Sequence, residues 1–333
     1  MKRKKIIKFA IFAVVLAFIL IVGGTFLYTK MNASVRISFG VHGNVVFRIE
    51  KEVCTKDEVT VLLLDKKKQY DELYGNEIWN KNIDDISAVD YLKNDVINRL
   101  AMYKCVKLMA EDKKIILSNS DKTKAERYAQ EYIEQFTESD LSSLGITKSA
   151  VKSIFEEKIL FEKVYDSLTT TVNREISVDE ARVIKLQYIF VSASLPDAQN
   201  LINEYYTRVT AGENFEKLAS DNNGKEGYEC QLARGTVEEA FEDAAFNLNT
   251  DEISQVVKTA KGYYIIKCIN DYEKVATENN KQTILNNRKN AIFDEIYKEF
   301  TATLYYEYNE KNIKDINFDT SYTVKVTTDE ILK

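Results

Sequence analysis

Few residues in this chain of 333 are equipped for covalent chemistry. The single histidine, His42, falls in an expected strand or turn and leaves no Ser-His-Asp or Cys-His arrangement available. Cys54, Cys105, Cys230 and Cys268 are widely spaced and form no C-x-x-C, so zinc and thioredoxin-like readings fail on spacing. Two bridges, Cys54–Cys105 among them, or four buried free thiols both remain open. No metal site and no cofactor are expected. What remains are phenols, notably Tyr188 in YIFV and Tyr264 in GYYII, each able to donate and to accept a hydrogen bond.

Those phenols need a frame. The run Gly227–Lys267 holds a tight Arg234-Gly235 turn and an amphipathic helix around Phe241 to Leu248. A short strand at Ile253 to Val257, a Gly262 turn and a strand from Tyr263 to Lys267 complete it. Upstream, Ser177-Val178-Asp179-Glu180 has the form of a capping box, and VIKLQYIFVS reads as a central strand. Pro196, the only proline, suits the first turn of a helix that bends at Ala211-Gly212 into a second helical piece. The order is β-α-α-β-α-β-β, a small α/β domain with an antiparallel sheet.

That order, with AGENFEKLAS, the R-G turn, FEDAAF, E-I-S-x-x-V and GYYIIK, resembles the parvulin-type peptidyl-prolyl isomerases over about Val183 to Lys267. The resemblance implies an apolar pocket for a proline ring and polar groups that favour a twisted amide, with no cofactor and no covalent step. Rotation about an X–Pro bond faces a barrier of roughly 18–20 kcal/mol and takes tens to hundreds of seconds unaided. Tyr188 and Tyr264 stand where the family carries its two histidines, and Asp221 where it carries an acid or cysteine. The loop here is shorter than the family's, and Asp221 reads more readily as a helix C-terminal or turn residue. The implied substrate-binding residues are Phe241, Val237 (where methionine is usual), Leu232 and Glu229, the last replacing a leucine of a G-D-L-G strand. Cys230 takes the place of that motif's second glycine, and Phe241 also fits a purely core role.

The start of the chain bears on location. Lys2, Arg3, Lys4, Lys5 and Lys8 precede an uncharged run from Phe9 to Thr29 that would span about 31 Å as a helix. It reads as a signal anchor with its basic flank cytoplasmic and the bulk outside, in a Gram-positive-type cell membrane; a cleaved signal peptide is the alternative. With those five basic residues taken from 46, 41 face 52 acidic ones, a net charge of −11 that does not suit nucleic acid.

Between anchor and domain, strands are expected in residues 34–50 around a Gly40–Gly43 turn. A capping box Thr55–Glu58 opens a helix ending near Gly75, NKNIDDIS is a loop, and Ser87 caps a helix to about Asp112. Further helices follow Ser120, to about Phe136, and span Thr147 to Leu168. Their apolar stripes pack on one another or form a cradle that leaves apolar surface for clients. After the domain, a helix from Thr277 to Asn312 presents Ile284, Ala291, Ile292, Ile296 and Phe300, and the closing SYTVKV pairs with the first strands. Anchor, strand, helix bundle and C-terminal return resemble extracytoplasmic foldases of the PrsA and SurA type.

The fold class is thus α+β: a transmembrane helix (1–30), a SurA-like helical chaperone module (34–176), an inserted parvulin-like domain (177–273) and a segment completing the module (274–333). Its expected partners are unfolded or secreted polypeptides and the membrane, with no nucleic acid and the oligomeric state open. A non-catalytic chaperone or envelope scaffold is the competing reading.

Overall fold

A computed structural model describes residues 43–83, 85–223, 228–319 and 322–333. The expected membrane span Phe9–Thr29, its basic flank, the first part of the expected strands and His42 lie outside the described residues. Among the described residues no helix is long and apolar enough to cross a membrane. The chain divides into a unit Thr171–Ile292 and a second unit that ends at Thr170 and resumes at Phe293–Lys333.

The larger unit opens with an antiparallel hairpin, β1 (Val45–Ile49) and β2 (Glu52–Thr55). Its turn lies at Glu50, in the left-handed region at φ 51°, while the expected Gly40–Gly43 turn lies, apart from Gly43 at φ 72°, outside the described residues. Helix α1 (Lys56–Tyr74) then starts and stops as the sequence dictates. Thr55 and Glu58 form the capping box, Glu58 Oε2 accepting from the Thr55 N–H at 2.8 Å, and Gly75 ends the helix at φ 74°. NKNIDDIS is not a loop: it holds β3 (Asn82–Ile83) and β4 (Ile86–Ser87), an antiparallel pair with Asp85 at φ 67°. Aspartate tolerates that conformation, so no glycine marks the turn.

Ser87 caps α2 (Ala88–Asp112), accepting from the Asp90 N–H at 3.0 Å, and Leu92, Val96, Leu100 and Val106 of the expected stripe are buried. Helix α3 (Asn119–Ile133) begins at a Ser118 cap, and α5 (Lys148–Leu168) at a Thr147 cap. Between them α4 (Glu138–Leu144) is an element the pattern did not suggest, closed by a Thr137–Asp140 capping box and Gly145. Being short and without a buried residue, it carries no apolar stripe to read.

The smaller unit is built on β5 (Val183–Ser192), preceded by the single turn α6 (Val178–Ala181). Ser177 accepts from the Glu180 N–H, but the reciprocal half of the expected capping box is absent, because Glu180 receives Arg288 Nη2 at 2.6 Å. Helices α7 (Ala198–Thr210) and α8 (Phe215–Asn223) follow, bent apart at Gly212. Pro196 lies before the N-cap residue Asp197 and outside the first turn. Then come β6 (Glu229–Ala233), α9 (Glu239–Phe246), β7 (Val257–Lys258) and β8 (Gly262–Asn270). Of the strand expected at Ile253, only an isolated bridge to Lys267 and the β7 pairing form. The sheet is antiparallel in the order β6-β5-β8-β7. Its two faces carry separate cores: Ile189, Val191 and Ile265 against α7 and α8, Leu186, Leu232 and Ile266 against α9.

The C-terminal return differs from the expected single helix. Helix α10 (Lys274–Thr301) is followed by β9 (Tyr306–Tyr308), which pairs antiparallel with β1, Phe47 opposite Tyr308. The pairing expected of SYTVKV thus belongs to the tyrosines. In residues 322–326 no strand forms; Gln135 clamps the backbone instead, accepting from the Lys325 and Val326 N–H groups and donating to the Val326 carbonyl. In α10, Phe293 and Tyr297 are buried while Ala291 of the expected stripe is exposed. Two short helices, α11 (Glu310–Lys314) and α12 (Thr328–Leu332), finish the chain.

Candidate functional site

Period-two alternation decides what the small unit's sheet presents on each face. On β5, Leu186, Tyr188 and Phe190 share one face; on β8, Tyr264 and Ile266 lie opposite Phe190 and Tyr188 in register. Helix α9 covers this face with Phe241, 7% exposed. The rings meet edge to face: Phe241 to Tyr264 at 4.9 Å and 80°, Phe241 to Tyr188 at 6.2 Å and 85°. Tyr188 and Tyr264 are 5.9 Å apart, and Phe190 lies 4.7 Å from Tyr264. The aromatic cluster is therefore in contact with itself. Neither phenol hydroxyl has a hydrogen-bond partner among the described residues, so both are available to an incoming amide.

The site is electrically neutral at ordinary pH. Burial pushes the Tyr188 phenol up, with Cys230 adding to the shift, and the Tyr264 phenol rises through burial, Tyr188 and Glu238. Cys230, half-buried on β6, is pushed up to about 11, by burial and then by Glu229. Such groups can bind and orient by hydrogen bonds and apolar contact; none is a poised general base or nucleophile. All four cysteines are free thiols, which closes the disulfide alternative in this structure.

Two supports of the site went unread in the sequence. Beyond Gln187, where pairing with β6 ends, side-chain amides take over the edge of β5. Asn223 donates to the Tyr188 carbonyl and accepts from the Phe190 N–H, while Asn222 donates to the Phe190 carbonyl at 2.6 Å. At the far side Glu238 accepts from the Ala260 N–H at 2.7 Å and ties the start of α9 to the turn before β8. That turn needs Gly262: a Cβ there would lie 2.2 Å from the Val191 carbonyl oxygen. Phe190 was legible in principle, two residues beyond Tyr188; the asparagines, at a helix end, carried no pattern.

Of the residues singled out from sequence, the structure brings together Tyr188, Tyr264, Phe241 and Leu232. Glu229 is elsewhere, on the opposite face of the sheet, paired with Lys185 at 2.7 Å and accepting from Gln187. Period-two alternation puts Cys230, not Glu229, on the aromatic face. Asp221 is exposed on α8, the helix packed against the other face, with no partner among the described residues. Val237, 41% exposed, lies in the loop that leads into α9. The turn's Arg234 lies over the Phe246 ring, 4.2 Å from its centre, and pairs with Asp179 at 3.0 Å. Among the described residues no group of His, Cys, Asp or Glu is placed to hold a metal ion.

A four-stranded antiparallel sheet in the chain order β-α-α-β-α-β-β, with two helices on one face and one on the other, defines a parvulin-type domain. Residues 183–270 match the family described as Rotamase: PPIC-type PPIASE domain. The chain as a whole is similar to PrsA foldases. It is 28% identical over 298 residues to the foldase protein PrsA of Caldanaerobacter subterraneus subsp. tengcongensis, covering 82% of this chain and 90% of that one. To the foldase protein PrsA of Clostridium acetobutylicum it is 24% identical, over 79% and 86%. The solved peptidylprolyl isomerase (PrsA) of Bacillus anthracis is 22% identical, covering 67% of this chain and 99% of that one. Its TM-score of 0.35 is one at which an overall superposition carries no argument. Both comparisons point the same way: a chain similar to PrsA foldases that carries a PPIC-type domain at residues 183–270.

Proposed function

We propose that the protein is an extracytoplasmic folding factor, anchored to the cell membrane by residues 9–29, that binds unfolded or secreted polypeptides. The parvulin-type domain is its peptide-binding module, and its isomerase activity is weak or lost. The observation that carries this reading is the contact between Tyr188, Tyr264 and Phe241 at the positions where the resemblance implies histidines and a proline pocket. A phenol offers one hydroxyl where an imidazole offers two opposed nitrogens, and these rings fill one another's space. Leu232 adds apolar floor, while Asp221, Val237 and Glu229 remain outside the buried cluster.

A proline-limited peptide isomerisation assay on the whole chain tests it. The expected rate lies at or near background, with Tyr188→His/Tyr264→His raising it. A wild-type rate comparable to that of a histidine-bearing parvulin would sink the loss of activity. Phe241→Ala is expected to abolish peptide binding by the domain; retained binding would move the contact surface elsewhere.

The second reading is a holdase acting through the helical unit alone, favoured by the self-contact of the aromatic cluster. It predicts that the chain suppresses client aggregation equally well when Phe241 is replaced by alanine.

A further inference from the structure

Two carboxylates and one ammonium meet inside the helical unit. Lys104 Nζ, from α2, donates to Glu58 Oε1 of α1 at 2.6 Å and to Glu157 Oε1 of α5 at 2.5 Å. All three side chains are at most 6% exposed. The second oxygen of Glu58 is used, Oε2 accepting from the Thr55 N–H and hydroxyl. That of Glu157 is not: Oε2 is buried and has no hydrogen-bond partner among the described residues.

With every group ionised, this cluster would hold a net charge of one negative unit away from water, which is costly without a further cation. Among the described residues the surroundings supply no further cation that is not already paired. Lys107 of α2, the next cation, is taken by Glu52 of β2 at 2.6 Å. Cys54 of β2 is buried beside the cluster and remains a neutral thiol, pushed up by burial and by Glu58. On helix α3, Asp121 pairs with Lys163 and Glu126 with Lys148 and Lys152, all of α5, while Glu131 is exposed. Burial works against the charge of Lys104, yet Glu157 and Glu58 together hold it above the usual lysine range.

We propose that Glu157 carries a proton in the folded protein, making the junction of β2, α1, α2 and α5 a proton-binding site that weakens as the medium turns alkaline. The proton removes the surplus charge, and Oε1 still accepts from Lys104. Consistently, burial pushes the Glu157 carboxyl up to about 7, with Lys104 opposing and Glu58 reinforcing the shift. A carboxyl raised on folding contributes stability that is full below its unfolded value. That contribution is lost as pH rises through the folded value, here toward and past neutrality.

The test is denaturant unfolding of the full chain followed by the fluorescence of Trp79, the only tryptophan, which is buried in this unit. Between about pH 6 and about pH 8 Glu157 is expected to raise the unfolding constant of the wild type on the order of tenfold, and Glu157→Gln to lose that rise, keeping only the roughly twofold change that Asp65 contributes. Equal pH slopes would overturn the proposal. Where Glu157→Gln does not fold, infrared titration of the wild type decides. A buried carboxylic-acid carbonyl band persisting at about pH 7 supports the site, and its absence overturns it.

Discussion

The two units keep their elements in register by different means. In the helical unit Glu58, Asp65, Lys67, Lys104, Glu157 and Lys158 are all buried, joined across α1, α2, α5 and the C-terminal segment. In the parvulin-type unit the buried polar side chains are Gln187, Ser254 and Thr277, none of them charged. A sheet tells its two faces apart by alternation, since a slip of one residue turns every side chain over. Packed helices tolerate small slides and rotations, and a buried charge that finds its partner in only one arrangement removes that freedom. The difference teaches where each unit is vulnerable: the helical one at its charges, the sheet at its backbone.

That contrast can be broken or sharpened in four ways. Lys104→Ala leaves two buried carboxylates without their cation and is expected to destabilise the helical unit by about 3–5 kcal/mol in Trp79-monitored unfolding. A loss under about 1 kcal/mol would mean that the network contributes little to register.

Asp65 comes next. It accepts from the Thr328 N–H at 2.9 Å and from the Tyr132 hydroxyl at 3.1 Å, and lies close to Lys158 and Asp329. Burial pushes it up to about 6 against the pull of Lys158. Its carboxyl is raised on folding, so stability is full below the ordinary aspartate range and falls as pH rises through about 6. Up to about 3 kcal/mol is at stake. Asp65→Asn is expected to reduce that slope to the share that Glu157 contributes; a slope of the same size in the variant would remove Asp65 as a source.

Gly262→Ala, in the sheet, must displace the Val191 carbonyl and is expected to cost about 1–3 kcal/mol, measured by circular dichroism of the unfolding transition. A neutral result would show that this backbone yields more easily than the contrast requires. The smallest effect is expected from Tyr188→Phe and Tyr264→Phe, which remove hydroxyls without partners among the described residues. Stability should change by less than about 0.5 kcal/mol, while any peptide affinity that depends on the phenols falls.

What could be read from the sequence follows the same divide. Caps were legible because they are local: Thr55 with Glu58 and Ser87 each sit at a helix start. Tyr188 and Tyr264 were legible through the resemblance, which puts both on inner strands, and the strands β5 and β8 do bring them onto one face. Glu229 was misplaced because a position within a motif does not reveal the sheet face it occupies, here opposite to that of Cys230. Strand β9 was missed since Tyr306 and Tyr308 follow a long helical run and pair with residues some 260 positions earlier, a partner no local pattern can announce. Lys104 and Glu157 were invisible for a similar reason. A charge within a helix reads as solvated surface until the opposing helix is in place.

The pairing of β1 with β9 sets an order of assembly. Phe47 meets Tyr308 and Asp65 meets Thr328, so the helical unit closes only when the last residues of the chain are present. Thr171–Ile292 is a single continuous stretch and needs nothing beyond itself to complete its sheet. In a chain that emerges from its N-terminus, the smaller unit can finish while β1 still offers an unpaired edge. Closing so long a loop adds an entropic cost that grows only logarithmically with length, so the delay is one of availability rather than of stability. For the interval between the two events, that open edge is where another chain could pair.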